Sequence, residues 1–81
     1  MDEAKKHLLE VYKKVWDYNE FNQEFNILGF MKPFYVVCQR KTTQEKGMIM
    51  HINNPNYYFN FKSEPAILER YKDKIVHLRK S

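Results

Sequence analysis

Apolar residues recur at helical spacing over residues 2–18 and predict an amphipathic helix. One half of the helical wheel collects Ala4, Leu8, Leu9, Val11, Tyr12, Val15, Trp16 and Tyr18. The other half carries Lys6, Glu10, Lys13, Lys14 and Asp17. Asp2 and Glu3 fall in the first turn, where the helix dipole favours negative charge. We therefore expect one side of this helix to pack on a core and the other to face water.

The next segment, NEFNQEFNILGFMKP (19–33), mixes apolar and turn-forming residues and allows two local structures. Either the first helix continues to about Phe25, or Asn22 caps a short second turn of helix. Regular structure is expected to stop before Pro33. The favoured interpretation is a loop folded over the edge of the core. The alternative is an exposed apolar patch that docks a partner, with the interface residues Phe21, Phe25, Phe30 and Met31.

Three strand patterns follow, namely FYVVCQRK (34–41), MIMHIN (48–53) and YYFNFK (57–62). TTQEKG reads as the hairpin loop between the first two, with Gly47 supplying the positive φ that such loops need. Pro55 is suited to the second turn, between the second and third strands. These patterns predict a three-stranded antiparallel sheet.

The last pattern predicts a helix from Glu64 to about Arg79, with Ser63 as its N-cap. Its apolar stripe is Ile67, Leu68, Tyr71, Ile75 and Leu78. The element order is therefore α-β-β-β-α, in a single α+β domain that spans residues 1–81. We expect both helices to pack on one face of the three-stranded sheet.

Side-chain alternation gives this predicted sheet two different faces. Pairing across the Pro55 turn places Ile52 opposite Phe59 and Met50 opposite Phe61. The face under the helices then carries Phe34, Val36, Cys38, Met48, Met50, Ile52, Tyr57, Phe59 and Phe61. The opposite face, open to solvent, carries Tyr35, Gln39, Lys41, His51, Asn53, Tyr58, Asn60 and Lys62.

Charge adds a candidate chemistry to that open face. The net charge is +4, with −2 in residues 1–31 and +6 in residues 32–81, and a basic half favours a polyanionic partner. Tyrosine rings among amides and lysines suit single-stranded nucleic acid. Tyr35 and Tyr58 would stack on bases. Phosphates would meet Lys41, Lys46, Lys62, Arg70 and Lys74, and hydrogen bonds would come from Gln39, His51 and Asn60.

The second hypothesis is a protein-interaction module that uses the apolar 21–31 segment or an edge strand. Such a module would be a small regulator or inhibitor of a larger protein, of the kind that viruses and mobile elements encode. A homodimer formed through either element is compatible with both hypotheses.

An enzyme is the least favoured class. His7, His51 and His77 are scattered, and no cysteine or carboxylate stands beside them at metal-ligand spacing. With two glycines in the chain, a phosphate-cradling glycine loop is excluded. We therefore expect no catalytic residues, no metal and no cofactor.

Three features indicate a cytoplasmic protein with no membrane association. No apolar run approaches the roughly 20 residues that span a bilayer. The N-terminal MDEAKKHLLEVYKK is a charged helical pattern that does not match a signal peptide. Cys38 is the only cysteine, so an internal disulfide cannot form and a reducing compartment is expected.

Overall fold

One antiparallel sheet organises the fold in the computed structural model, which describes residues 2–77. Within that range the helices are α1 (Glu3–Val11), α2 (Tyr18–Glu24) and α3 (Ile67–Arg70). The strands are β1 (Val15–Asp17), β2 (Phe25–Met31), β3 (Tyr35–Arg40), β4 (Lys46–Ile52), β5 (Tyr57–Ser63) and β6 (Ile75–His77). Their order in the sheet is β1-β5-β4-β3-β2-β6. The predicted α+β class with an antiparallel sheet is confirmed, whereas the predicted number of three strands is wrong because the sheet has six.

The predicted helix over residues 2–18 is wrong beyond Val11. Tyr12 is already extended, with φ −114° and ψ 138°, and the chain then enters β1. In β1 the consecutive residues Val15 and Trp16 are 4% and 5% exposed and join core clusters on opposite sides of the sheet. Adjacent helix positions lie on neighbouring parts of one surface, so a helix could not bury both residues in this way. No helix in residues 2–77 is long and apolar enough to cross a membrane.

Helix α2 begins at a cap that the sequence pattern did not indicate. The Asp17 carboxylate accepts a hydrogen bond from the Glu20 backbone N–H at 2.8 Å, and the Glu20 carboxylate accepts one from the Asp17 N–H at 3.0 Å. This reciprocal pair is a capping box, which satisfies two free donors of the first turn. The expected cap at Asn22 is wrong, because its side chain instead donates to the Tyr18 carbonyl at 2.8 Å.

Strand β2 corrects the interpretation of segment 19–33 as a loop. It pairs with β3 on one side and β6 on the other, with a bulge between Ile27 and Gly29. Three of the four predicted interface residues are core residues: Phe21, Phe25 and Met31. The apolar-patch alternative is therefore wrong for those three, while Phe30 is exposed.

The predicted final helix is reduced to the four residues of α3. Ser63, the expected N-cap, is the last residue of β5, and the cap position falls at Ala66, which has no side-chain oxygen to accept a hydrogen bond. The chain then turns into β6, which pairs with residues 29–31 of β2. Its predicted stripe still gathers in one core cluster, formed in part by Ile67, Leu68, Tyr71 and Ile75. The predicted end of this helix, with Leu78 and Arg79, lies outside the described residues.

Both faces of the sheet are covered, so the prediction of two helices on one face is wrong. Helix α2 covers one face, here called the α2 face, where the buried residues are Trp16, Phe21, Phe25, Val36, Cys38, Ile49 and Tyr58. Helices α1 and α3 cover the other, here called the α1–α3 face. Its buried residues are Val15, Met31, Val37, Tyr57, Phe59, Ile67 and Ile75. The apolar set predicted for one face is thus divided between two layers of core.

The register between β3 and β4 and a bulge in β5 explain that division. Val36 pairs with Ile49 and Tyr35 with Met50, so Val36 and Cys38 lie on the opposite face from Met48 and Met50. His51 pairs with Tyr58 and Met50 with Phe59, where the prediction paired His51 with Asn60. A bulge then shifts the register between Met48 and Met50, and Asn60 adopts a positive φ of 60°. A bulge reverses the side-chain alternation that follows it. The bulge therefore places Phe61, the next aromatic residue of β5, on the α2 face.

The predicted open polar-aromatic face does not form as a solvent surface. Tyr58 is buried and stacks on Phe21 at 3.8 Å and on His51 at 4.3 Å between ring centroids. Tyr35 lies on the other face, packed against the Ile67 cluster. The predicted core residue Phe34, in contrast, is exposed. The two tyrosines expected to share a surface are separated by the thickness of the sheet.

A hydrogen bond fixes the start of α1 to β5. The Tyr57 hydroxyl donates to the Asp2 carboxylate, which also accepts from the Lys5 backbone N–H at 2.8 Å as the helix cap. The bond from Tyr57 holds the pKa of Asp2 below its usual range and raises the pKa of Tyr57. Stability from the lowered carboxyl pKa is present above the pKa of the unfolded chain and is lost as the pH falls through the folded-state pKa.

Replacing Tyr57 with phenylalanine should therefore lower the melting temperature at neutral pH, because the ring is kept and the bond to Asp2 is removed. The difference between the two proteins should shrink towards zero in acid, where the carboxylate is protonated in both. Thermal unfolding followed by circular dichroism over a pH series measures this. Tyr18→Phe, at an exposed tyrosine, is the matched control, and a pH-independent deficit in Tyr57→Phe would contradict the assignment.

Candidate functional site

A groove of about 380 Å³ opens at the β1–β5 edge of the sheet. Its wall is the extended chain between α1 and β1, and its floor comes from β1, β3 and β5. The lining residues are Val11, Tyr12, Lys13, Lys14, Trp16, Arg40, Asn60 and Phe61. The groove thus combines three cations, three aromatic rings and one amide in one concave surface.

The floor of the groove is held by Glu24, the last residue of α2. One carboxylate oxygen accepts a hydrogen bond from the Trp16 indole N–H at 2.8 Å, and the other pairs with the Arg40 guanidinium. Arg40 also lies 3.6 Å from a carboxylate oxygen of Glu45. Two carboxylates therefore balance the charge of Arg40, and we assign it a structural role.

Aromatic contacts fix the same guanidinium from its faces. The Arg40 guanidinium carbon lies 5.0 Å from the centroid of the Phe25 ring and 5.2 Å from that of Phe61. Such cation–π geometry is favoured for arginine, whose planar group stacks on rings. Phe61 is in turn tilted against Phe25 at 5.1 Å. The half-buried Phe61 ring is therefore preorganised where it meets the groove.

The uncompensated positive charge of the groove comes from Lys13 and Lys14. Both are exposed, and neither forms an ion pair with any residue between 2 and 77. The Lys14 ammonium lies 5.6 Å from the centroid of the Trp16 ring. Because Trp16 is almost fully buried, it forms a floor for the lysine, and the rings open to a ligand are the half-buried Tyr12 and Phe61.

Asn60 also lines the groove, and its backbone conformation positions Phe61 there. Its positive φ lies in the left-handed region, which asparagine tolerates better than most side chains. The resulting bulge directs Phe61 to the α2 face, and the Asn60 amide N–H donates to the Met50 sulfur at 3.4 Å. An exposed edge of β5 follows, since β1 pairs only with residues 57–59.

Some of the residues predicted to bind nucleic acid lie at this end of the sheet. Asn60 lines the groove, Lys62 follows Phe61, and Lys41 follows Arg40. Lys41 is oriented by a 2.7 Å hydrogen bond from its ammonium to the Asn22 carbonyl. Lys46 and Gln39 form a cross-strand pair beside them.

The other predicted residues are elsewhere. Tyr58 is core, Tyr35 is half-buried on the α1–α3 face, and His51 donates to Asn56 at 2.6 Å while it stacks on Tyr58. Arg70, the last residue of α3, forms an ion pair with Glu64 at 3.0 Å. Lys74 is exposed in the turn before β6, at the opposite edge of the sheet from the groove.

The sequence contained a signal for the groove that the prediction did not use. Lys13 and Lys14 immediately precede Val15 and Trp16, so two cations adjoin an aromatic residue. The helical wheel assigned both lysines to a solvated helix surface. Because α1 ends at Val11, they lie instead on an extended segment against the sheet.

Two further groups limit the chemistry of the molecule. Burial raises the pKa of the Cys38 thiol to about 12, so the thiol stays protonated and is a poor nucleophile. Burial likewise raises the pKa of Tyr58. Among the described residues, no three histidine, cysteine, aspartate or glutamate side chains gather closely enough to hold a metal ion.

The comparisons with known proteins give no relative. No protein-family model matches the chain, and no curated protein and no solved structure is significantly similar to it. The fold and the groove define an α+β protein with one six-stranded antiparallel sheet and a basic aromatic groove at a sheet edge.

Proposed function

We propose that this protein binds single-stranded nucleic acid, without catalysis, in the groove at the β1–β5 edge. The observation that carries the proposal is the combination of Lys13 and Lys14, which form no ion pair within residues 2–77, with the half-buried rings of Tyr12 and Phe61 in one groove. The lysine ammonium groups would bind phosphates, and the aromatic rings would stack on unstacked bases. Asn60 adds an amide that can read a base edge.

A neighbouring cation extends the groove into a track for a phosphate backbone. Lys41 lies next in sequence to the groove residue Arg40, is held towards α2 by its bond to the Asn22 carbonyl, and forms no ion pair within residues 2–77. Together with the two groove lysines it offers about three phosphate contacts, whereas Lys62 pairs with Met48 and lies on the α1–α3 face. A single strand is favoured because the rings are recessed between walls, where only an unstacked base can reach them.

The expected affinity is modest and depends on salt. Each stacked base contributes about 1–3 kcal/mol. With about three phosphate contacts, the logarithm of the binding constant should fall against the logarithm of salt concentration with a slope of about −2. Fluorescence anisotropy of labelled single-stranded RNA, single-stranded DNA and duplex DNA, titrated at several salt concentrations, measures both quantities.

Replacing Lys13 and Lys14 together with alanine should weaken single-strand binding and reduce the salt slope by about two thirds, because two of about three phosphate contacts are lost. The melting temperature should stay nearly unchanged, since both side chains are exposed. The matched control is Lys72→Ala with Lys74→Ala, which removes the same charge at the far edge of the sheet. Equal weakening by the two double variants, or no binding by the native protein at low salt, would refute the proposal.

A further inference from the structure

A second surface lies on the α2 face, at the end of the sheet away from the groove, and it is apolar. Phe30, Phe34 and Val76 are 43%, 45% and 63% exposed. Phe30 of β2 pairs directly with Val76 of β6, and both lie on the α2 face. The Phe34 carbonyl accepts a hydrogen bond from the His51 backbone N–H at 2.9 Å. We call the surface formed by Phe30, Lys32, Phe34, His51 and Val76 the Phe30–Phe34 patch.

The patch surrounds a concavity of about 240 Å³. Phe30, Phe34 and His51 all line it, and the buried Val36 forms part of its floor. Helix α2 does not cover it, since the single buried residue of that helix, Phe21, packs on Tyr58 and Phe25. Adjacent exposed aromatic residues of this kind mark protein interaction sites more often than isolated exposed residues do.

The charges around the concavity select the kind of partner. Its lining contains Lys32, His51 and Asn53 and no carboxylate. A second copy of this chain would bring Lys32 towards Lys32 on proteins of net charge +4, so like charges would meet. A segment with apolar side chains between carboxylates fits better, with its apolar groups on Phe30 and Phe34 and its carboxylates near Lys32.

We propose that the Phe30–Phe34 patch docks an acidic protein segment that also carries apolar side chains. The site is independent of the groove: β3 has Tyr35 at the patch end and Arg40 at the groove end. The molecule therefore has two surfaces, one for a polyanion and one for an acidic apolar peptide. Occupation of one leaves the other accessible.

A displayed library of random peptides, selected on the native protein and counter-selected on Phe30→Ser with Phe34→Ser, tests the proposal. We expect the enriched peptides to combine aspartate or glutamate with large apolar residues. Affinity of a synthesised enriched peptide should fall about tenfold or more in Phe34→Ser, a single change in a turn that keeps the strands intact. Leu9→Ser, at an exposed leucine of α1 outside both sites, is the control and should bind like the native protein.

Other outcomes overturn the proposal. No enrichment, enrichment of basic peptides, or equal affinity for Phe34→Ser and the native protein would each do so. Self-association in sedimentation that Phe34→Ser abolishes would show that the occupant is a second copy. The variant with Lys13→Ala and Lys14→Ala should keep peptide binding while it loses single-strand binding, so the two proposals fail separately.

Discussion

Replacing Phe21 with alanine is expected to destabilise the protein by about 3–5 kcal/mol. Phe21 is 0% exposed and is the only residue of α2 that is buried. Its ring stacks on Tyr58 at 3.8 Å and on Phe25 at 5.1 Å. Removal leaves a cavity between two rings and detaches α2 from the sheet. Since small domains have about 5–15 kcal/mol of total stability, much of the chain should unfold at moderate temperature.

Urea denaturation followed by tryptophan fluorescence measures this loss, because Trp16 lies in the same core cluster. The matched control is Tyr18→Ala in the same helix, where the side chain is 55% exposed and the expected change is within about 0.5 kcal/mol. Similar losses for the two variants would show that α2 contributes through its helix alone, and would contradict the packing described here.

Replacing Gly47 with alanine is expected to cost about 3 kcal/mol, at the upper end of the range for overpacking. A Cβ on Gly47 would lie 2.1 Å from the Lys62 carbonyl oxygen and 2.9 Å from the Phe61 ring. The first atom is backbone in the paired strand β5, so relief requires β4 and β5 to separate. Glycine is thus needed at this position for the close approach of the two strands. The predicted positive φ at Gly47 is wrong, because Gly47 lies in β4 and the residue of this hairpin with a positive φ is Gln44.

Gly29→Ala is the informative comparison, because its clash lies at the edge of the sheet. A Cβ there would lie 2.8 Å from the Val76 carbonyl oxygen and 2.9 Å from the Ile75 Cγ2. Strand β6 has three residues and can shift outwards, so we expect a smaller loss of about 1 kcal/mol. Urea denaturation of the two variants decides this, and a larger loss for Gly29→Ala would reverse the assignment.

The central strands were predictable from the sequence because their signals are local. Runs rich in β-branched and aromatic residues lie between turn residues, and the expected spans 34–41, 48–53 and 57–62 match β3, β4 and β5 to within two residues. The predicted apolar positions Ala4 and Leu8 of α1, with Tyr12 directly after it, also pack in one cluster.

The short strands could not be predicted in the same way. Val15 and Trp16 fit a helical stripe as well as a strand, and only their pairing with Phe59 and Tyr58 decides between the two. Such pairing is a long-range contact that no local pattern contains. In β2, the bulge at Leu28 interrupts the alternation that would have marked a strand.

The candidate site was predicted in part for a related reason. Lys41 and Asn60 lie next to and in the groove, because strand order alone brings the ends of β3 and β5 to the same end of the sheet, whereas Lys62 lies on the α1–α3 face. Lys13 and Lys14 were missed because their place depends on the end of α1. Tyr35 and Tyr58 do not share a surface because Tyr35 pairs with Met50 and lies on the α1–α3 face, while α2 covers the face that carries Tyr58.

The three-residue length of β1 and β6 has a consequence for the behaviour of the protein in concentrated solution. These strands form the two margins of the sheet, and sheet margins are where identical chains can add to one another and grow into fibrils. Because β1 pairs only with residues 57–59 of β5 and β6 only with residues 29–31 of β2, each margin is broken into two short steps. An incoming strand thus meets few backbone groups in one line, which disfavours open-ended polymerisation.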